Sequence, residues 1–326
     1  MHKKYENQYF IFDNPEPINW KYPVKYVLAV IMQPVYKLIM NIAGCKKAKQ
    51  KKYKVAICAI FKNEAAYLKE WIEFHKIVGV EHFYLYNNFS DDNYKEILQP
   101  YIDGKEITLV EWPYPQGQMT AYYDCIKKYK DEMQWLGFID IDEFVIPKKV
   151  DTIYAFLKHF SHRPAVLMYW KIYGSSGFLK RNKTRLVTED FIVSWPKYVN
   201  IGKCFYNTNY DFARGTKKNK VMHHLLYTKF KKILLPPVNV FDYNVLFNRH
   251  LGIRCDFPIQ INHYYTKSLE EYQEKKKRKS VYHAYNTHTD NAFFEHEMKC
   301  TSVDYSAYKF LIKLKKAMRK DAEREE

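Results

Sequence analysis

The stretch "WLGFIDIDEF" (135–144) decides how this sequence folds, because an apolar run ends there in three carboxylates, Asp140, Asp142 and Glu143. Negative charges this close together repel, and burying them without a partner is costly. We therefore expect a positive partner at this point, either a basic side chain or a metal ion.

The residues around this stretch alternate between apolar runs and amphipathic segments. Strands are predicted at 54–60, 82–87, 106–112 and 135–140, with helices between them. This alternation is typical of an α/β fold with a parallel, doubly wound (Rossmann-like) sheet that is flanked by helices.

Polar residues follow each predicted strand, at 61–64, 87–91, 112–118 and 140–143. In doubly wound sheets, ligands bind beyond the carboxyl ends of the strands. Ser90 and Asp91 are also predicted to cap the helix that follows them.

The two aspartates of the opening stretch suit a metal. Because side chains alternate along a strand, Asp140 and Asp142 are expected to point to the same side. Two carboxylates at a strand end favour Mn²⁺ or Mg²⁺, which would share its coordination with phosphate oxygens. An Asp-x-Asp pair also occurs without a metal, neutralised by nearby lysines or by a helix N-terminus.

The bulk composition narrows the possible partners. Of 326 residues, 53 are Lys or Arg and 36 are Asp or Glu, which gives a net charge of +17. Such an excess indicates an anionic partner: nucleic acid, lipid headgroups or a phosphorylated small molecule. The six cysteines form no CxxC pair, which favours a reduced chain without a cysteine-based zinc site.

Three regions are predicted: an N-terminal extension (1–52), an α/β domain (53–280) and a C-terminal helical tail (281–326). The extension contains an apolar run interrupted by Pro34 and followed by a basic segment, 46–54. This pattern fits an amphipathic helix on an anionic membrane surface. A membrane span and a helix packed on the protein's own core are the alternatives. The tail is also basic and amphipathic, so both ends favour a cytoplasmic protein that is peripheral to the inner face of a membrane.

Three runs occur in an order that is similar to one enzyme family: "FKNEAAYLKEWIEFHKIVGVEHFYLYNNFSDD" (61–92), "FIDIDEFVIP" (138–147) and "INHYYTKSLEEYQEKKKRK" (261–279). The chain resembles glycosyltransferase family 92 and the bacterial family-2-like glycosyltransferases with the GT-A fold. The resemblance covers about residues 53–280, which would then be the catalytic domain.

The resemblance implies an inverting hexosyltransferase of the EC 2.4 class that depends on a divalent metal. It would move a hexose from a nucleotide sugar, with UDP as the expected nucleotide, to a cell-surface polysaccharide or a lipid-linked oligosaccharide. Asp140 and Asp142 would be its DxD pair, with Asp142 as a direct metal ligand and Asp140 binding the ribose or the metal. His263 would complete the metal shell.

The resemblance also assigns donor-binding residues. Those expected in the nucleoside pocket follow the first two strands: Phe61, Asn63, Glu64, Asn88 and Asp91. Asn63 and Glu64 could equally cap the next helix. Lys267 is expected to bind the leaving diphosphate. The basic run 275–279 is read as a solvated helix face.

An inverting transfer needs a base that accepts the proton of the acceptor hydroxyl. Glu189 falls where the family carries a glutamate, and Asp190 resembles the acid of family-2 enzymes. The sequence does not choose between them. His223 and His224 also fall where relatives carry histidine, without an assigned role.

The sequence also has features of two other classes of protein. The charge and the 30 tyrosines would also suit a nucleic-acid-binding protein, although no nucleic-acid motif is present. A metal-dependent phosphohydrolase could use the same carboxylates, but it would need a second ligand cluster. We therefore expect a nucleotide sugar, a glycan or lipid-linked acceptor and an anionic membrane as partners, and no nucleic acid.

Overall fold

A computed structural model describes residues 10–13, 20–45, 50–277 and 289–320. Part of the basic segment 46–54, the end of the basic run 275–279 and the last residues of the tail lie outside the described residues.

The helices and strands follow one another along most of the chain. The described helices are α1 (Lys21–Gly44), α2 (Ala65–Ile77), α3 (Tyr94–Asp103), α4 (Gln118–Tyr129), α5 (Ile153–Leu157), α6 (Val187–Asp190), α7 (Leu269–Lys277), α8 (Asp290–Glu297) and α9 (Tyr308–Lys320). The described strands are β1 (Tyr53–Phe61), β2 (His82–Asn87), β3 (Ile107–Glu111), β4 (Met133–Phe138), β5 (Glu143–Pro147), β6 (Ala165–Tyr173), β7 (Val193–Ser194), β8 (Gly202–Asn207), β9 (Asp211–Phe212), β10 (Thr228–Phe230), β11 (Ile233–Leu235), β12 (Val238–Asn239), β13 (Ile259–Tyr264) and β14 (Ser302–Val303).

The central sheet has the order β14-β7-β6-β8-β4-β1-β2-β3. Its β4-β1-β2-β3 part is parallel, which confirms the predicted α/β fold with helices around the sheet. Beyond β4 the main path turns antiparallel through β8, β6 and β7. The sheet is therefore mixed, and the parallel half is the part that the alternation of strands and helices predicted.

The core forms because β1 is buried on both faces and α2 buries an apolar stripe against neighbours that include Phe83 of β2 and Phe144 of β5. Residues 55–61 of β1 are all buried. The predicted stripe of α2, which includes Leu68, Trp71 and His75, is fully buried as well. Gly79 ends this helix with a φ of 92°, a conformation that costs glycine little.

The C-terminal helix α9 packs on the body of the protein. Phe310 lies edge-on to Phe74 of α2 with 5.7 Å between ring centroids, and Leu314 is fully buried. The tail is thus an amphipathic helix, but its apolar face contacts the core and is not available to a membrane. β14 adds to the central sheet through antiparallel pairing with β7.

Candidate active site

The acidic stretch forms a turn between two strands. β4 ends at Phe138 and β5 begins at Glu143, so Asp140 and Asp142 lie outside both strands. The backbone N–H of Glu143 donates to the carbonyl of Asp140 at 3.0 Å. The two aspartates therefore lie in a turn and not on a strand, so strand alternation does not set their directions, and the two carboxylates have different partners.

Asp140 accepts hydrogen bonds from three side chains. Gln118 Nε2 and Tyr122 Oη each donate to its Oδ1 at 3.1 Å, and Lys203 Nζ donates to its Oδ2 at 2.6 Å. Lys203 lies on β8, is fully buried, and has its Nζ 3.6 Å from Glu143 as well. The positive partner of Asp140 and Glu143 is thus a lysine.

This cluster holds the acidic turn in place. Burial lowers the pKa of Lys203, but Asp140 and Glu143 raise it overall, so the ammonium group stays charged. Burial raises the pKa of Glu143 well above its usual value, although Lys203 opposes the shift. Because Glu143 also accepts from the N–H of Asp140 at 3.0 Å, it braces the turn from inside.

Asp142 meets a second set of basic groups. Its Oδ2 lies 2.6 Å from Lys275 Nζ and 3.6 Å from His263 Nε2. Burial alone would raise the pKa of Asp142, but Lys275 and His263 hold it well below its usual value. Asp142 is therefore ionised at neutral pH, as a metal ligand must be.

His263 reaches the turn through strand pairing. β13 pairs with β5 in antiparallel register, which sets His263 opposite Glu143. The N–H of Tyr264 also donates to the carbonyl of Asp142 at 2.8 Å. Since β5 starts directly after the acidic turn, this register carries the imidazole to the carboxylate.

The pair formed by Asp142 and His263 fits one divalent cation. Oxygen and nitrogen ligands lie about 2.1 Å from such an ion, so atoms 3.6 Å apart can share it in place of the Lys275 ammonium. The Nδ1 atom of His263 is buried without a hydrogen-bond partner among the described residues. Asp140, already bound by three donors, suits a role beside the metal better than direct ligation.

Lys267 lies close to this pair. It is buried, and its Nζ is 3.6 Å from the centroid of the Tyr67 ring. Burial lowers the pKa of Lys267, although Glu64 and Asp142 oppose the shift. A buried cation next to Asp142 is suitably placed to bind an anionic leaving group.

The residues expected in the nucleoside pocket mostly fasten the strand ends to one another. Asn63 Nδ2 donates to Asp91 Oδ1 at 2.6 Å, and the Asp91 N–H donates back to Asn63 Oδ1 at 2.9 Å. Asn88 is buried, and its amide donates to the carbonyls of residues 112 and 114. Phe61 is buried at the end of β1, and Glu64 precedes α2 without a side-chain capping hydrogen bond.

The predicted cap of α3 is wrong. The helix begins at Tyr94 after Asn93, whose side chain makes no capping hydrogen bond. Ser90 Oγ accepts from the N–H of Asn63 at 2.9 Å, and Asp91 pairs with the same residue. Both side chains therefore join the first two strand ends.

A cavity of about 530 Å³ opens beside these strand ends. It is lined in part by Asn63, Tyr67, Asp92, Arg181 and Glu271. Tyr67 Oη donates to Glu271 at 2.7 Å, and the side chain of Arg181 is only 6% exposed. Arg181 Nη1 has no hydrogen-bond partner among the described residues, so a polar ligand in the cavity could accept from it.

The two candidate bases differ in their surroundings. Glu189 forms ion pairs with Lys315 of α9 at 2.5 Å and with Arg185 at 3.6 Å. Asp190 is buried, and its Oδ1 lies 2.7 Å from Arg185 Nε. Burial raises the pKa of Asp190, although Arg185 opposes the shift. Glu189 thus anchors the C-terminal helix, whereas Asp190 is buried beside Arg185.

Glu70 of α2 holds the short helix that carries these acids. Its carboxylate accepts from the N–H groups of Val187 and Thr188 at 2.7 and 3.0 Å. The first turn of α6 is therefore satisfied by a buried side chain.

An aromatic wall, formed by Trp170, His223 and His224, lies between the surroundings of Asp140 and those of Asp142. The Trp170 ring lies 4.8 Å from that of His263 and 5.0 Å from that of His224. His224 Nδ1 bonds the carbonyl of Gly202 at 2.7 Å, and burial lowers the pKa of His224 to about 3. His223 is buried directly beside it. Both histidines are therefore neutral groups of the wall between Lys203 and His263.

Sequence reasoning missed Lys203, Tyr67 and Arg181, and it read Lys275 as solvated. Only Lys203 carried a signal, because a lysine inside the apolar run "GKCFYN" (202–207) needs a buried partner. Lys275 lies in a run of lysines, where nothing local marks the one that turns inward.

The chain also matches known proteins. The family model of glycosyltransferase family 92 matches residues 51–289. A family 92 protein of Oryza sativa subsp. japonica is 30% identical over 122 residues, 37% of this chain and 21% of that protein. The β-1,4-galactosyltransferase galt-1 of Caenorhabditis elegans is 26% identical over 208 residues, 59% of this chain and 42% of that protein. The chain thus spans less than half the length of these curated relatives.

Solved structures give a weaker likeness. S. aureus TarS 1-349 superposes with a TM-score of 0.33 at 14% identity, covering 48% of this chain and 47% of that one. Its complex with UDP has a TM-score of 0.30 at 16% identity, covering 40% and 38%.

The Asp-x-Asp turn, His263 and the buried lysines lie beyond the carboxyl end of β4, where open α/β sheets bind their ligands. The family model matches most of the chain and identifies its family. The protein belongs to glycosyltransferase family 92. The predicted family and the predicted enzyme class, a glycosyltransferase, are both confirmed.

Proposed function

We propose that this protein transfers a hexose from a UDP-linked donor to a cell-surface polysaccharide or a lipid-linked oligosaccharide, with inversion at the anomeric carbon. The observation that carries the proposal is the group around the acidic turn, where Asp142, His263, Lys275 and Lys267 lie together. An anionic diphosphate and a divalent cation are the ligands that such a mixture of charges suits. The galactosyltransferase activity in the name of galt-1 supports a hexose as the transferred group.

Asp142 and His263 would hold the metal, Mn²⁺ or Mg²⁺. When bound, such an ion neutralises the developing charge on the leaving diphosphate. Lys267 and Lys275 would contact the same phosphate oxygens, and Asp140 would hold the ribose. When the donor binds, the Lys275 ammonium group would leave Asp142 and contact a phosphate group.

The transfer itself exchanges one bond for another. The acceptor hydroxyl oxygen attacks the anomeric carbon from the side opposite to the diphosphate, and the bond from that carbon to the phosphate oxygen breaks. The electron pair leaves with UDP, and the hydroxyl proton passes to the carboxylate of Asp190. The raised pKa of Asp190 favours this step, because a more basic carboxylate accepts a proton more readily.

We further propose that the enzyme works in the cytoplasm, peripheral to the inner face of a membrane. A lipid-linked or surface acceptor would be found there, and the basic extension suits anionic headgroups. The tyrosines that motivated nucleic-acid binding belong largely to the core, for example Tyr84, Tyr86, Tyr169 and Tyr206. That composition is therefore explained by packing.

Thermal unfolding with UDP tests the metal and donor assignment. UDP with Mn²⁺ should raise the melting temperature of the unchanged protein more than UDP alone, because a ligand that binds only the folded state stabilises it. Asp142→Asn should lose the Mn²⁺-dependent part. The control Asp256→Asn changes an exposed aspartate on the surface and should keep it.

A screen of UDP-hexoses for UDP release, followed by NMR of the product, then identifies the donor and the anomeric configuration. Retention of configuration would contradict the proposed inversion. An Asp142→Asn variant that keeps the full Mn²⁺-dependent shift would remove the proposed metal site.

A further inference from the structure

Helix α1 has two apolar stripes, and only one of them is used by the protein. The inner stripe includes Tyr22, Ala29, Met40 and Ala43, which are buried. The outer stripe repeats at helical spacing and stays exposed, with Leu38 at 62% and Ile31 at 59%. Its other members are Val24, Val27, Leu28, Val35 and Ile42.

The outer stripe is long for a soluble surface. α1 has 24 residues, so it extends over about 36 Å. Large exposed apolar surfaces of this kind mark sites of interaction with other proteins or with membranes. By length and composition, α1 could also cross a membrane.

The inner stripe is fastened to the catalytic body by polar contacts. Gln33 Nε2 donates to the carbonyl of Asn244 at 3.0 Å, and the N–H of Asn244 donates to Gln33 Oε1 at 2.7 Å. The Arg249 guanidinium lies 3.9 Å from the centroid of the Tyr22 ring. Tyr210 Oη donates to the carbonyl of Met40 at 3.0 Å. A helix that crossed a bilayer would lose these contacts and leave Gln33 in hydrocarbon, which is costly.

The charge around α1 selects the partner. Residues 17–63 contain ten lysines and no aspartate or glutamate, and six of these lysines lie in 46–54. Lys37 pairs with Asp242 and Lys51 with Asp131, and the other lysines leave an excess of positive charge. An apolar stripe beside such an excess matches the interface of an anionic bilayer, where acyl chains lie under negative headgroups. A protein partner would need no such excess of one charge.

We propose that α1 is a monotopic docking surface that lies flat on an anionic bilayer while its inner face stays fixed to the catalytic body. The outer stripe enters the boundary between headgroups and acyl chains, and the flanking lysines contact the headgroups. The inference deepens the proposed membrane location and does not depend on the transfer reaction.

Co-sedimentation with vesicles tests it. The full chain should pellet with phosphatidylcholine vesicles that contain phosphatidylglycerol and should bind pure phosphatidylcholine much more weakly. High salt should weaken the binding, because it screens the lysines. The double variant Ile31→Glu and Leu38→Glu should bind the anionic vesicles about tenfold more weakly or worse.

Ile312→Glu is the matched control, because Ile312 is equally exposed (68%) but lies on α9. It should bind as the unchanged protein does. All substituted positions are exposed, so the far-ultraviolet circular dichroism and the melting temperature should stay the same. Bound protein should also move to freshly added anionic vesicles, as a surface-bound protein does and a spanning one does not.

Equal binding by the double variant and the unchanged protein would overturn the proposal, as would failure of bound protein to transfer. UDP release in solution provides a separate measurement. If the double variant loses vesicle binding but keeps UDP release, the docking surface is supported on its own. If the unchanged protein binds vesicles but releases no UDP, only the proposed function fails.

Discussion

Replacement of Lys203 by methionine tests how the acidic turn is held together. Lys203 Nζ lies 2.6 Å from Asp140 and 3.6 Å from Glu143; Lys203 and Glu143 are buried, and the Asp140 side chain is 31% exposed. Loss of one partner from a buried ion pair typically costs about 3–5 kcal/mol, because the remaining charge stays without compensation. We expect a loss of that size in the free energy of unfolding for Lys203→Met.

The corresponding shift in melting temperature follows from chain length. Unfolding entropy is about 2.1 cal/mol/K per residue, or about 0.7 kcal/mol/K for 326 residues. The melting temperature should therefore fall by about 4–7 °C. Scanning calorimetry and urea unfolding both measure this change.

Lys149→Met provides a control at matched distance. Lys149 Nζ lies 2.5 Å from Asp256, but both side chains are more than half exposed. Water already solvates such a pair, so this variant should melt as the unchanged protein does. If Lys203→Met is as stable as Lys149→Met, the turn is not held by a buried ion pair and our account of it is refuted.

Three further changes test the site and the core. If Asp190 is the base as proposed, Asp190→Asn should lower kcat by about a hundredfold or more, whereas Glu189→Gln should change kcat little; the opposite order would reassign the base. Lys267→Met should weaken UDP binding about tenfold in calorimetric titration through loss of a charged contact, and unchanged affinity would argue against the phosphate role. Burial lowers the pKa of His75 to about 3, while an unfolded histidine titrates near 6.5. Between these pH values the unfolded state binds more protons than the folded state. The free energy of unfolding therefore falls as the pH drops below about 6.5. Between pH 7 and pH 5, the His75→Gln variant should therefore lose about 2 kcal/mol less of its free energy of unfolding than the unchanged protein does. The control His159→Gln changes an exposed histidine and should behave as the unchanged protein does. Equal pH dependence of the unchanged protein and both variants would contradict the buried neutral imidazole.

The parallel half of the sheet could be predicted from the sequence because its signals are local. Apolar runs such as 54–60 and the helical spacing of Leu68, Trp71 and His75 determine burial without knowledge of distant residues. The pairing in the antiparallel half could not be predicted, because β8 pairs with strands far away in the sequence and β7 and β14 have only two residues each.

Part of the candidate site could also be predicted from the sequence, and part could not. The family resemblance brought His263 to the acidic turn, and the structure places it 3.6 Å from Asp142. The turn itself escaped prediction, because a strand and a turn differ there by only a few residues. The apolar run around Lys203 indicated a buried partner, but its identity escaped prediction, since it depends on β8 lying next to β4.

The pairing of β13 with β5 has a consequence for the newly made chain. Lys275 comes 133 residues after Asp142, so a ribosome-bound intermediate has its aspartates long before their counter-charges. Until β13 and α7 emerge from the exit tunnel, Asp142 has neither of the basic neighbours that keep it ionised in the folded state. A chain that stalls or is cleaved before residue 259 would consequently lack both His263 and Lys275, the two basic groups beside Asp142.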